Sequence, residues 1–107
     1  MGDESDFSVQ VDAMGTDGTS AVLVLSGELD AYAADHLMAA IDRIDSSATA
    51  VDLDVAGVSF VDSSGLRVLL KANERVSGSG TILRHAQPSL LRLLELTGLL
   101  EHFTLVP

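Results

Sequence analysis

A chain of 107 residues with 47% hydrophobic residues is long enough for one domain and apolar enough to bury a core of its own, about 65% of its unfolded surface. Sixteen acids against six bases give a formal net charge of −10, which argues against nucleic acid and anionic membranes as ligands, because both select clustered Lys and Arg. Cysteine is absent, so disulfides, thiolate metal sites and cysteine nucleophiles are excluded. The start, Met1-Gly2-Asp3-Glu4-Ser5-Asp6, is acidic where a secretory signal is basic and then apolar, and no apolar run reaches the roughly eighteen residues of a membrane span. The expectation is a single cytoplasmic domain over residues 1–107, frayed at 1–6.

In chain order, Phe7-Ser8-Val9-Gln10-Val11-Asp12 alternates apolar and polar like a half-exposed edge strand. Gly15-Thr16-Asp17-Gly18-Thr19 is turn chemistry, and Ala21-Val22-Leu23-Val24-Leu25 is an apolar run that suits a strand covered on both faces. Asp30 is a helix cap candidate. The helix after it is expected to run to about Ile44, with Leu37, Ala40, Ile41 and Ile44 on one face and Asp35, His36, Asp42 and Arg43 off it. Val51, Leu53 and Val55 alternate with Asp52 and Asp54 as a strand that Gly57 is expected to break.

Asp62-Ser63-Ser64-Gly65 then precedes a second amphipathic helix, predicted from Leu66 to about Val76 with Leu66, Leu69, Leu70, Asn73 and Val76 in one stripe. Gly78-Ser79-Gly80 ends it. Thr81-Ile82-Leu83-Arg84 reads as a short strand, a third helix opens at Pro88 and closes at Gly98, and Phe103-Thr104-Leu105-Val106 is the last strand. The alternation predicts an α/β fold, a mixed, mostly parallel β-sheet with helices packed mainly on one side.

Val58-Ser59-Phe60-Val61-Asp62-Ser63-Ser64-Gly65-Leu66 is the most informative segment, because it puts two hydroxyls just after a cap-capable aspartate at a helix start. A phosphate there would meet free backbone N–H groups and the positive end of the helix dipole. On spacing alone, a plain helix cap with a serine-rich turn explains the same residues.

Three segments change that balance: Ser26-Gly27-Glu28-Leu29-Asp30, Val51-Asp52-Leu53 leading to Val58–Leu66, and Leu96-Thr97-Gly98-Leu99. Through them the chain resembles the STAS domain family, the sulfate transporter and anti-sigma factor antagonist domains. The resemblance implies a bacterial anti-sigma factor antagonist that binds an anti-sigma factor with serine kinase activity and is phosphorylated by it on Ser63. It further implies that Asp30, Asp62, Ser63, Ser64, Gly65 and Arg67 face the partner, and that a serine phosphatase resets the switch. ATP and Mg²⁺ belong to the kinase, so the chain is expected to hold no cofactor and to catalyse nothing. Arg67 stands where many antagonists have glycine, and the chain ends at Pro107 where many relatives continue into another helix.

Other chemistries have weaker support. Asp52-Leu53-Asp54-Val55 resembles the opening of haloacid dehalogenase-type phosphatases, but the only lysine is Lys71 and the other motifs of that chemistry are not evident. Asp30, Asp52, Asp54 and Asp62 could bind a hard cation if they met at one sheet edge, although they lack a recognised loop spacing, and His36, His85 and His102 are too scattered for zinc. The main rival is a constitutive interaction module in which Ser63 is only a cap. The cluster Leu90, Leu91, Leu93 and Leu94 reads first as core, but not all four can face one side of a helix, so part of it could instead form a partner surface.

Overall fold

A computed structural model describes residues 7–14, 20–44, 49–76 and 80–107. The strands are β1 (Ser8–Met14), β2 (Ser20–Leu29), β3 (Ala50–Val61), β4 (Gly80–Arg84) and β5 (Phe103–Val106). Between them lie α1 (Ala31–Asp42), α2 (Ser63–Arg75) and α3 (Pro88–Leu96), with a short 3₁₀ turn at Leu100–His102 that the sequence did not signal. The sheet order is β1-β2-β3-β4-β5; β1 is antiparallel to β2 and the remaining neighbours are parallel. The expected mixed, mostly parallel α/β sheet is therefore present. The glycine-rich turns at 15–19 and 78–80 fall, apart from Gly80, outside the described residues.

The core follows from period-two alternation meeting helical stripes. Ala21, Leu23 and Leu25 of β2 and Val51, Leu53 and Val55 of β3 are almost wholly buried, and they share one cluster with Leu37 and Ile41 of α1, Leu66 and Leu69 of α2, and Leu90 and Leu94 of α3. All three helices thus cover the same face. The expectation that β2 is buried on both faces is corrected: Val22 and Val24 are only half-buried, because among the described residues no helix lies over the side they share with Asp52, Asp54, Ile82 and Arg84. On that open side Arg84 grips Asp52 through Nε at 3.2 Å and Nη2 at 2.7 Å. These hydrogen bonds and the carboxylate charge hold the guanidinium above its ordinary range.

Gly57 does not end β3. The strand runs on to Val61 through two register shifts against β2, one between Val24 and Ser26 and one between Gly27 and Glu28. These are bulges, and side chains satisfy the backbone groups near the first: Asp54 Oδ1 accepts from Ala56 N at 3.1 Å, and Gln87 Nε2 donates to Ala56 O at 2.7 Å. Glycine is required at 57 because a Cβ there would lie 2.9 Å from Ser26 Cβ. The bulges keep β3 beside β2 as far as the pair Leu29 and Val61, where the site is built.

Two side chains fix the helices in place, one joining α2 to α1 and one joining α2 to the sheet. Arg75 Nη2 donates to the carbonyls of Asp42 at 3.1 Å and Ile44 at 2.8 Å, closing the end of α1 against α2. Asn73, read from the sequence as part of the apolar stripe, instead uses its carboxamide oxygen to accept from Thr81 N at 3.0 Å at the start of β4. Val68 and Ala72 join Leu66 and Leu69 as the buried face of α2.

Candidate functional site

The site forms where β2 and β3 end. Leu29 and Val61 are register partners in parallel strands, so the next residue on each, Asp30 and Asp62, lie about one strand spacing apart, near 5 Å. Asp62 N donates to Leu29 O at 3.2 Å, which ties the two strand ends together. Each aspartate then starts a helix. Asp30 Oδ1 accepts from Ala33 N at 2.9 Å, and Asp62 Oδ1 accepts from Ser64 N at 2.9 Å and Gly65 N at 3.1 Å. Two capped helix N-termini therefore open onto one acidic rim.

The second helix begins earlier than its apolar stripe indicated. Asp62 is the cap, so Ser63 and Ser64 form the first turn of α2 and do not precede it. Ser63 is exposed, and its hydroxyl makes no hydrogen bond among the described residues. Ser64 is half-buried. The expectation that a phosphate would meet free backbone N–H groups needs correction as well, because the Asp62 carboxylate already occupies those of Ser64 and Gly65. A phosphate on Ser63 would sit beside that carboxylate, with little helix-end compensation left to it.

Gly65, grouped with the partner-facing residues on the resemblance, lies inside the fold. A Cβ at this position would stand 2.5 Å from Leu29 O and 2.6 Å from Leu29 Cγ, so glycine is what lets α2 approach the end of β2. Arg67 is exposed on α2, one helical turn beyond Ser63 and Ser64.

Asp52 and Asp54 do not join this rim. They lie on the open sheet face, Asp52 held by Arg84 and Asp54 Oδ1 facing His85 Nδ1 at 3.3 Å. Among the described residues no three His, Asp or Glu side chains come together in a way that could hold a metal ion.

Sequence reasoning missed the apolar surroundings of the rim. Tyr32, two residues past Asp30, is 56% exposed with its ring edge-on to His36, and Phe60, two residues before Asp62, is 50% exposed. Strand alternation would have buried Phe60 with Val58, but the second bulge turns Ser59 and Phe60 both outward. Tyr32 had a readable signal, since it is off the stripe of α1.

The cap itself is testable. Asp62→Ala is expected to lower unfolding free energy by about 1 kcal/mol, while Asp62→Asn, which keeps the acceptor, loses less than half of that. Urea titration monitored by circular dichroism reads both variants; equal stability of all three proteins would show that the cap contributes nothing.

The family model described as STAS domain matches residues 10–107. Among solved structures, the chain is similar to an anti-sigma factor antagonist from Mycobacterium paratuberculosis, at 29% identity and a TM-score of 0.81 over 95% of this chain and 86% of that one. It is also similar to the anti-sigma factor antagonist SpoIIAA in its unphosphorylated form, at 26% identity and a TM-score of 0.71 over 94% of this chain and 88% of that one. The phosphorylated form of SpoIIAA, a Bacillus cell fate determinant, matches at 26% identity and a TM-score of 0.67 over 94% of this chain and 91% of that one. No curated protein sequence gives a significant match.

Proposed function

Since the chain belongs to the STAS domain family, we infer that it is an anti-sigma factor antagonist of the partner-switching kind, bound by an anti-sigma factor that is also a serine kinase and released when that kinase phosphorylates Ser63. The observation that carries this reading is the placement of Ser63: an exposed, unbonded hydroxyl at the first position of α2, on a rim shared with Asp30 and Asp62. Its support from outside the chain is the similarity to SpoIIAA, a protein known in unphosphorylated and phosphorylated forms.

The chemistry asked of this chain is small. Its hydroxyl oxygen attacks the γ-phosphorus of ATP held by the kinase, its proton leaves to a base on the kinase, and ADP departs. A serine phosphatase returns the chain to its binding form by hydrolysis. The kinase supplies nucleotide, metal and catalytic groups, so this chain acts as a substrate and ligand in the cytoplasm and has no turnover of its own. Asp30, Asp62 and Ser63 form the charge-sensitive part of the docking surface, with Ser64 and Arg67 at its margin.

Incubating the purified protein with ATP, Mg²⁺ and lysate of its source organism, followed by intact-mass measurement and phosphopeptide mapping, tests the assignment. One added phosphate, lost in Ser63→Ala and kept in Ser64→Ala, is the expected result. No phosphate on any variant, in a lysate that phosphorylates a control substrate, would leave the constitutive interaction module as the better reading.

A further inference from the structure

Near the end of β3, on residues just before Asp62, lies a recess that phosphoryl transfer does not use. It measures about 220 Å³ and is lined by Ser59, Phe60 and Val61 of β3 and by Ser89, Leu90 and Leu93 of α3. Leu96 is one turn beyond Leu93 on the same side of α3 and is 73% exposed. An apolar strip therefore runs from Val61, the neighbour of Asp62, across Phe60 and Leu93 to Leu96. Leu90 and Leu94 already anchor α3 in the core, so the packing of the fold does not account for the exposure of Leu96. A single exposed leucine would be ordinary, but here it is continuous with a recess and an exposed phenylalanine.

Charge decides what can cover the strip. At its Phe60 end the border is acidic, since Glu28 is the register partner of Phe60 and Asp62 and Asp30 follow at the strand ends. At the other end exposed Arg92 lies one turn before Leu96. A second copy of this chain, also at −10, would bring its own acidic rim, and nucleic acid or an anionic bilayer would be repelled. The fitting occupant is a protein that presents cations to the acids and an apolar side chain to the recess.

We propose that the anti-sigma factor that phosphorylates Ser63 is this occupant, and that it holds the chain by two parts of one footprint: cations against Asp30 and Asp62, and an apolar side chain seated among Phe60, Leu93 and Leu96. The inference rests on the reading of Ser63 given above. Phosphorylation alters the charged part alone. The apolar part is present in both states and sets which kinase recognises the chain, in the manner of a buried hot spot flanked by a charged rim.

The test uses the kinase purified by its transfer of phosphate to Ser63, with the full chain as substrate. Leu96→Ser and Phe60→Ala are each expected to raise KM roughly tenfold while lowering kcat by less. Leu105→Ser, a change at a 39% exposed leucine on β5, is expected to leave both constants as they are. Thermal unfolding of Leu96→Ser should match wild type, separating lost docking from lost folding. Unchanged KM in both Leu96→Ser and Phe60→Ala would overturn the inference while the Ser63 assignment stood, since Ser63→Ala would still abolish transfer. Dissociation of a dimer by Leu96→Ser, seen in sedimentation with KM unchanged, would overturn it in favour of self-association. Failure of any kinase to phosphorylate the wild-type chain would defeat the Ser63 assignment and this inference together.

Discussion

Protein phosphorylated at Ser63 is expected to bind its anti-sigma factor about a hundredfold more weakly than the unmodified chain, a loss of about 3 kcal/mol. The added group carries about −1.5 to −2 charges at neutral pH. At many helix N-termini such a group would be compensated by free N–H donors, but here Asp62 already accepts from Ser64 and Gly65, and Asp30 caps the neighbouring helix. The phosphate must stay hydrated and facing outward, and docking would have to strip that hydration beside two carboxylates. Titration calorimetry of both forms against the purified kinase reads the effect. The difference should shrink at 1 M salt, where the screening length falls to about 3 Å. A loss that is indifferent to salt would point to steric exclusion, and equal affinities at low salt would remove the switch.

Gly65→Ala is expected to destabilise the fold by about 3 kcal/mol and to lower Tm by roughly 12–20 °C. Two principles give opposite signs here. Helix propensity favours alanine over glycine by up to about 1 kcal/mol inside a helix. Geometry opposes it, because the new Cβ would stand 2.5 Å from the carbonyl oxygen of Leu29, a backbone atom in a paired strand that cannot swing away as a side-chain tip can. The overlap should force the first turn of α2 off the end of β2 and disturb the Asp62 cap with it. Calorimetric scanning decides the matter; a Tm equal to or above that of wild type would mean that propensity wins and that the approach of α2 to β2 is looser than described.

How far the sequence could be read depended on whether each feature was local. The strands β2, β4 and β5, the caps Asp30 and Asp62 and the helix start at Pro88 were legible because alternation, cap chemistry and proline act over a few residues. The length of β3 was not, because Gly57 reads as a breaker unless one knows that Ser26 lies against it on the neighbouring strand. The exposure of Phe60 was not legible for the same reason, since a bulge is a relation between two strands and leaves no mark on one. The start of α2 was placed three residues late because Ser63, Ser64 and Gly65 add nothing to an apolar stripe, although Asp62 signals the cap. Asp52 and Asp54 looked like candidates for chemistry until β4 brought Arg84 and His85 to meet them. The juxtaposition of Asp30 and Asp62 follows from sheet register, which the resemblance implied and the residues alone did not.

The sequential strand order also bears on how the molecule assembles. Leu23, Leu53 and Leu83 are register partners across β2, β3 and β4, each one crossover further along the chain. No strand needs a partner from beyond its own neighbours in sequence, so loop closure costs stay moderate and the sheet can grow in the order of synthesis. The rim that bears Ser63 is built from the ends of β2 and β3 and the first turns of α1 and α2, so none of its residues comes from β4 or β5.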